Sequence, residues 1–417
     1  MKPMLRYEFK KIFGKPSGKI ALILYLCVLI YSCWGTAFGT EYGSLVWVNE
    51  QGERESGYAA YRNLRNAQKE WAGDLDEVHL EKIIRELNRI AATPEAQSED
   101  YHQNNIALHW KMGVKPVWEL LTFCFSPGMR TLDYTVTDTL TPSDAGSLYS
   151  RRIELLRSYL YDENNREAAR LSETEKEYLL SQYQKLEGHV YYDYHKGWAQ
   201  ALDNLTYIML MGTLILGYLV SGIFSSEFRW KTDAVYFSSR YGRDKATLAK
   251  IKAGLLLVSA LYWGAVLGCS LFSLCFCGFD GGNCAIQLLD FYRSYYNLTC
   301  WQTWLVYVMG SYIATVFIML LCMWVSAKTK SAIFATTIPF ILIFVPNFFS
   351  NDSAIGGFLA LLPDKLFSLG DQLRYFNVYD LGFGVVGSWP LLFVLYTTLA
   401  LLLIPALYRD FRRKQIG

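Results

Sequence analysis

Six long apolar stretches alternate with polar segments along this chain of 417 residues. A helix needs about 20 mostly apolar residues to cross a bilayer, because its backbone polar groups must be satisfied inside the helix. None of the six stretches contains Asp, Glu, Lys, Arg or His. The pattern therefore predicts an all-α polytopic membrane protein with six transmembrane helices, at approximately 20–38, 205–224, 253–277, 301–326, 332–350 and 384–408.

The distribution of Lys and Arg sets the predicted orientation of these spans. Placing the N-terminus inside leaves four inner segments, which together hold 19 Lys and Arg against five Asp and Glu. An excess of basic residues in short loops is typical of the cytoplasmic side. We therefore expect both termini to be cytoplasmic. Composition agrees with a membrane protein, since 16% of residues are aromatic and only 19% are charged, against roughly 25% charged in soluble domains.

A long polar insert separates the first two spans, at 39–203, and is expected to form a mainly helical extracellular domain, since it is long enough to fold independently. Apolar residues at helical spacing predict a helix that contains Ile83, Leu87 and Ile90, and Ser172 with Glu175 predicts a capping box. A small hairpin is expected around 45–53. The insert holds 18 basic and 27 acidic residues. Its negative charge favours a cationic ligand such as a peptide, although acidic outer domains are also simply soluble.

The segment before the first span, 1–19, predicts a basic amphipathic helix. Its apolar residues include Leu5, Phe9 and Ile12, with lysines and Arg6 on other faces. Such a helix suits the headgroup layer, although a plain positive-inside anchor explains it equally well. Gly14 and Pro16 are expected to end the helix. A cleavable signal peptide is the alternative explanation of this N-terminus.

The histidines and cysteines give no strong metal signal. All five His fall in the insert, but they form no zinc-type motif, and the nine Cys contain no CxxC pair. We expect no metal site and no catalytic residue. A disulfide between Cys284 and Cys300 is one possibility, and unpaired thiols are the other.

Nucleotide chemistry is not expected in this chain. The segment 14–20 superficially resembles a phosphate-binding loop, but it is one residue short between its glycines and ends in Ile20 instead of Ser or Thr. Ionisable groups that drive ion coupling are missing from the six predicted spans. The energy for any transport must then come from a partner, so the chain itself is not expected to be an enzyme.

The inner segment at 225–252 is longer than a plain connection between two helices needs to be. It mixes aromatic and basic side chains, which suits docking on a protein surface. A solvated basic loop lying on anionic lipid is the alternative. Within it, Glu227, Ser239, Arg240, Ala249 and Lys250 match the order of residues in the coupling segment of ABC-2 type permeases, which the chain therefore resembles.

The resemblance to ABC-2 permeases covers the membrane part, 1–38 and 205–417, and has two clear departures. Lys231 and Thr232 stand where the family commonly has Gly and Thr, and no Pro precedes Ser239. The family implies a permease of the bacterial cytoplasmic membrane that pairs with a second permease copy or homologue. Two separate ATPase subunits would bind ATP and Mg and drive it, and this chain would bind no cofactor.

The resemblance also implies two sets of functional residues. The first would couple the permease to the ATPase, with aromatic and apolar side chains filling a groove and arginines pairing with acids: Glu227, Phe228, Trp230, Val235, Phe237, Arg240, Arg243 and Lys250. The second would line a transport path between two permease copies: Tyr207, Met211, Thr213, Thr336, Phe344, Asn347 and Phe348. This lining favours an amphiphilic cargo such as a hydrophobic peptide, an antibiotic or a lipid.

Two other functions stay open at this point. One is a membrane-anchored extracellular sensor or enzyme, whose outer domain acts alone. The other is an ion-extruding permease. Membrane lipid is an expected contact in every case, and a formal net charge of +2 gives no reason to expect a nucleic-acid partner.

Overall fold

The computed structural model describes residues 2–38, 45–49, 53–188, 190–349 and 356–414. Within these ranges the chain is mostly helical, and its strands form three short antiparallel pairs. The helices are α1 (Lys2–Phe13), α2 (Pro16–Phe38), α3 (Tyr58–Lys69), α4 (Glu77–Ala91), α5 (Tyr101–Trp110), α6 (Lys115–Phe125), α7 (Leu148–Leu160), α8 (Glu173–Gln184), α9 (Lys196–Arg229), α10 (Asp233–Ser238), α11 (Thr247–Cys277), α12 (Cys300–Thr329), α13 (Ala332–Phe344), α14 (Gly356–Leu359), α15 (Leu369–Arg374) and α16 (Ser388–Arg412). The strands are β1 (Val46–Val48), β2 (Arg54–Ser56), β3 (Gly73–Asp74), β4 (Tyr191–Tyr192), β5 (Val378–Asp380) and β6 (Val385–Gly387).

In this part of the chain, five helices are long and apolar enough to cross a membrane: α2, α9, α11 with the turn before it, α12 and α16. The sixth predicted span, 332–350, is not confirmed. The helix there, α13, has 13 residues, or about 20 Å of length. It gives way to a 3-10 turn at Val345–Phe348, because Pro346 has no amide hydrogen with which to continue the α-helical ladder.

Helix α9 is the centre of the membrane part, since it packs against α2, α11, α12 and α13, while α12 also packs against α16. Small residues allow the closest approaches. A Cβ atom at Gly217 of α9 would lie 2.5 Å from Cγ of Pro339 in α13, and one at Gly254 of α11 would lie 2.5 Å from the sulfur of Met323 in α12. Both helix pairs therefore depend on glycine at the crossing.

The N-terminal helix and the break after it are confirmed. Helix α1 ends at Phe13 and α2 begins at Pro16. Ile12 is buried, and Phe9 and Phe13 pack against the core. We call the end of the bundle at which α1 lies the inner end, and the opposite end the outer end.

The insert at 39–203 is mainly helical where it is described, as predicted. Helix α4 buries Ile83, Leu87 and Ile90, and the capping box of Ser172 and Glu175 begins α8. The expected hairpin is formed by β1 and β2, although its turn at 50–52 lies outside the described residues. His189 also lies outside them.

The insert is tied to the segment that joins α11 and α12. Asp280 of this segment forms ion pairs with Nη2 of Arg65 at 2.7 Å and with Nζ of Lys69 at 2.6 Å. The hydroxyl of Tyr194 donates to the carbonyl of Cys277 at 2.5 Å. These contacts fix one side of the insert to the outer end of the bundle.

The cysteines all carry free thiols. Cys284 and Cys300 are both buried, and the amide of Cys300 donates to the carbonyl of Cys284 at 2.9 Å, so the two residues are neighbours without being bonded. Of the two sequence alternatives, the structure has unpaired thiols.

Candidate functional site

Four charged side chains from three helices meet at the inner end of the bundle. Lys250 of α11 places its Nζ 2.7 Å from Oε1 of Glu227 in α9, and 3.0 Å from Oε2 of Glu8 in α1. Lys11 of α1 places its own Nζ 2.5 Å from Oε1 of Glu227. We call Glu8, Lys11, Glu227 and Lys250 the charge cluster.

The charge cluster is buried and internally neutral. Lys250 is 0% exposed, Glu227 3% and Glu8 6%. Lys250 Nζ also donates to the carbonyl of Ile223 at 3.0 Å, so its three donors are all used. Burial lowers the pKa of Lys11, but the hydrogen bond to Glu227 and the charges of Glu8 and Glu227 outweigh it, and the pKa is raised.

A short folded segment follows the charge cluster and joins α9 to α11. It consists of a turn, the helix α10 and a single π-helical turn at Gly242–Ala246. We call residues 230–246 the elbow. The hydroxyl of Thr232 donates to Oε2 of Glu227 at 2.8 Å, which links the elbow directly to the charge cluster.

Aromatic side chains of the elbow pack against Phe411 of α16. Phe411 of α16 is 0% exposed, and its ring is surrounded by other rings. The centroid distances from Phe411 are 4.7 Å to Phe224, 5.2 Å to Phe237, 5.8 Å to Tyr236 and 6.2 Å to Phe228. The elbow and the end of α16 therefore share one apolar core.

The end of α16 also supplies polar partners to the elbow. Arg243 donates from Nη1 to the carbonyls of Arg412 at 2.9 Å and of Lys414 at 3.0 Å. Asp244 accepts an ion pair from Nε of Arg412 at 2.9 Å and a hydrogen bond from the hydroxyl of Tyr408 at 3.1 Å. These bonds orient the π-helical turn on the last helix.

The predicted coupling residues thus divide into two groups. Trp230, Val235 and Arg240 are exposed, with Val235 73% accessible to solvent. The other five predicted coupling residues contact this chain itself. Glu227 and Lys250 belong to the charge cluster. Phe228 and Phe237 lie in the aromatic core around Phe411, and Arg243 donates hydrogen bonds to the end of α16.

The predicted path residues are dispersed as well. Tyr207 and Met211, 70% and 44% exposed, form one stripe on α9 with Tyr218. Thr213 does not belong to that stripe. It is 1% exposed, and its hydroxyl bonds the hydroxyl of Thr315 in α12 at 3.1 Å.

The remaining path residues lie on α13 and the turn after it. Thr336 is half-buried and donates to the carbonyl of Ala332 at 2.7 Å. Phe344 is half-buried beside Phe340, with ring centroids 5.0 Å apart, and Phe348 is 84% exposed. The side chain of Asn347 lies outside the described residues.

A second group of charges lies at the outer end of α9, around a cavity of about 310 Å³ between the insert and the bundle. We call it the outer cavity. Three acidic and three basic residues line it: Glu119, Asp203, Asp290, Lys115, Lys196 and Arg374. The closest pair is Lys115 with Glu119, at 3.7 Å. Burial raises the pKa of Glu119, and Lys115 offsets only part of that effect.

His195 forms part of the wall of the outer cavity. Its Nδ1 lies 2.8 Å from the carbonyl of Asp193 and its Nε2 lies 3.0 Å from the carbonyl of Leu288. Burial lowers the pKa of His195. A neutral imidazole donates from one nitrogen only, so one of these carbonyls faces a ring nitrogen that has no hydrogen.

The sequence predicts Glu227 and Lys250 as coupling residues, but it does not indicate their partners Glu8 and Lys11, or the charged residues of the outer cavity, as sites. Glu8 and Lys11 were assigned to an amphipathic helix, and nothing local to them indicates Glu227 or Lys250 as partners. The six charged residues of the outer cavity come from four separate parts of the chain. The available signal was the position of Glu227 and Lys250 at the inner ends of two apolar stretches, where a charge needs a partner.

Comparison with protein-family models, with characterised proteins and with solved structures finds no match to this chain. Among the residues that the structure describes, no group of three or more His, Cys, Asp or Glu is placed to hold a metal ion. Functional assignment therefore depends on the geometry of the two ends of the bundle.

Proposed function

We propose that this chain is the permease subunit of an ATP-driven exporter and that the elbow is the surface on which a separate ATPase docks. The observation that carries the proposal is the two-sided construction of the elbow. One side of the elbow is bonded to the charge cluster through Thr232 and packs on α16 through the aromatic core. The other side of the elbow is exposed to solvent and carries Trp230, Val235 and Arg240.

This construction suits the transmission of force. A flexible loop absorbs a push by bending, whereas a segment whose side chains are buried and paired moves together with the helices that hold it. Displacing the elbow would shift the inner ends of α9 and α11, because Lys250 and Glu227 are in direct contact. The exposed aromatic, aliphatic and arginine side chains are the types that anchor protein interfaces.

The exposed stripe of α9 supports the second half of the proposal. Tyr207, Met211 and Tyr218 recur along one face of the helix, and a second copy of the chain, or a homologue, would cover that face. In this arrangement the stripe lines the path of an amphiphilic cargo, such as a hydrophobic peptide, an antibiotic or a lipid. ATP and Mg would be bound by the ATPase, in the cytoplasmic membrane of a bacterium.

The outer cavity favours a second candidate function, a membrane-anchored receptor or sensor for an outer ligand. Its three acids and three bases surround open space, and a zwitterionic or cationic molecule, including a cationic peptide, would complement such a wall. A sensor of this kind needs no ATPase on the elbow. The two candidates therefore differ in what the elbow contacts.

Site-specific photo-crosslinking in the native cell tests the proposal. A photoreactive phenylalanine analogue replaces Val235, and the control replaces Tyr101, which is also 73% exposed but lies in the insert. We expect the Val235 position to capture a protein with the sequence motifs of an ATP-binding cassette, and the Tyr101 position not to capture it. Capture of lipid alone at position 235 would contradict the proposal.

A further inference from the structure

A second cavity lies at the inner end, beside the charge cluster, between α1, the start of α2, α9 and α13. Its volume is about 230 Å³, and we call it the inner cavity. The segment that superficially resembles a phosphate-binding loop contributes to its wall through Lys15, Ser17 and Gly18. Gly18 is required there, because a Cβ atom would collide with the carbonyl oxygen of Ile12.

The wall of the inner cavity carries an excess of positive charge. Glu8 and Lys11 face it, but both belong to the charge cluster, which is neutral as a whole. Lys15 and Arg229 also line the cavity. Among the described residues neither of these two forms an ion pair with a carboxylate. The cavity therefore has two positive charges in excess.

The ring of Trp230 lies close to both cations. The Nζ of Lys15 lies 4.3 Å from the centroid of the Trp230 ring, and the guanidinium carbon of Arg229 lies 5.9 Å from it. Burial lowers the pKa of Lys15, and repulsion from Arg229 and Lys11 lowers it further. An anion between Lys15 and Arg229 would relieve that repulsion.

The cavity is polar on one side and apolar on the other. Ser17 and Ser226 lie with the cations, whereas Tyr218 and Ile333 lie towards the apolar surface of the bundle, 42% and 78% exposed. The first turn of α2 begins here with Pro16, so the cavity is at the depth where a transmembrane helix leaves the headgroup layer. A free anion would use only the polar side.

We infer that the inner cavity binds the phosphate headgroup of an anionic phospholipid. Lys15 and Arg229 contact the phosphate, and one acyl chain lies against Ile333. Basic pockets between transmembrane helices are suited to such headgroups. The inference does not require an ATPase on the elbow, because Lys15 and Arg229 both lie outside the elbow at 230–246.

Native mass spectrometry of the delipidated full-length protein tests this inference. The protein is titrated with phosphatidylglycerol, with phosphatidylcholine and with soluble glycerol phosphate. We expect phosphatidylglycerol to bind at least about 10-fold more tightly than phosphatidylcholine. Glycerol phosphate is expected to bind weakly, because it lacks the acyl chain. Equal binding of the two lipids, or binding of glycerol phosphate as tight as that of phosphatidylglycerol, would overturn the inference.

Matched variants locate the binding. Lys15→Gln with Arg229→Gln is expected to weaken phosphatidylglycerol binding by about 10-fold or more. The control, Lys10→Gln with Lys245→Gln, removes two exposed inner cations that do not line the cavity and is expected to change binding by less than about 2-fold. An equal loss in both pairs would overturn the site. The single variants and the charge-preserving pair Lys15→Arg with Arg229→Lys, which should retain binding, are measured beside them in case the double variant does not fold.

Discussion

The two ends of α9 carry charges in opposite ways. At the inner end, Glu227 lies in the charge cluster, in which two acids and two bases pair within 3.7 Å. At the outer end, Asp203 and five other charged residues surround about 310 Å³ of open space. Charges that are buried and fully paired hold helices in one arrangement, whereas charges around a cavity remain free to meet a ligand. We therefore propose that the charge cluster positions the helices and that the outer cavity is the place where a ligand could bind.

The largest expected loss of stability comes from removing a member of the charge cluster. Lys250→Ala leaves Glu8 and Glu227 buried without their main partner, and we expect a loss of about 3–5 kcal/mol in the free energy of unfolding. Lys252→Ala, two residues further along α11 at an exposed position, is the matched control and should change stability by about 0.5 kcal/mol or less. Thermal unfolding in detergent measures both. Equal destabilisation by the two variants would remove the distinction between the cluster and an ordinary inner lysine.

Disrupting the aromatic core around Phe411 should lower the free energy of unfolding by a similar or slightly smaller amount. Phe411→Ala removes the ring that contacts Phe224, Phe237 and Tyr236, and cavity formation of this kind costs about 3–5 kcal/mol. Phe383→Ala, at a position that is 85% exposed, is the control. Limited proteolysis within the elbow should accelerate in the first variant only. Protection of the elbow in Phe411→Ala would show that the aromatic core does not hold it.

The sequence predicted features that depend on neighbouring residues, but it did not predict contacts between residues that are far apart in the chain. The end of α1 at Gly14, the capping box of α8 and the β1–β2 hairpin follow from neighbouring residues, and all three are confirmed. The inner cluster unites positions 8 and 250, and no local pattern encodes such a pairing. Hydropathy also could not distinguish a span from the shorter α13, because both are continuous apolar runs, and it could not show that Phe237 faces inward.

At the outer end, the ion pairs of Asp280 that attach the insert should contribute less to the free energy of unfolding than the charge cluster does. Burial raises the pKa of Asp280, but hydrogen bonds to Lys69 and Arg65 outweigh it, so the pKa lies below the ordinary 3.8. Its ionised form therefore stabilises the fold above pH 3.8, and that stability is lost as the pH falls through the folded-state pKa. Asp280→Asn should cost about 1 kcal/mol or less at neutral pH. The difference from the unchanged protein should shrink below pH 3.8, and a difference independent of pH would contradict this account.

The smallest expected effect is at the wall of the outer cavity. Because burial raises the pKa of Glu119 above the ordinary 4.5, its ionisation opposes folding, and stability falls as the pH rises from 4.5 to the folded-state pKa. Glu119→Gln should therefore leave stability at neutral pH unchanged or slightly increased, and should remove that pH dependence. Unfolding midpoints between pH 4 and pH 8 measure it. A large loss at neutral pH would mean that Glu119 is paired structurally, as Glu227 is.

The proposed exporter function requires that the elbow engages an ATPase. The most direct measurement is the ATP turnover that accompanies the affinity-purified chain from its native membrane. Val235→Asp with Arg240→Glu changes the exposed side of the elbow, and Val78→Asp, at a position 63% exposed in the insert, is the control. We predict turnover with the unchanged chain and with the control, and about a 10-fold or greater loss with the elbow variant. Turnover equal in all three, or no turnover above background with the unchanged chain, would contradict the account.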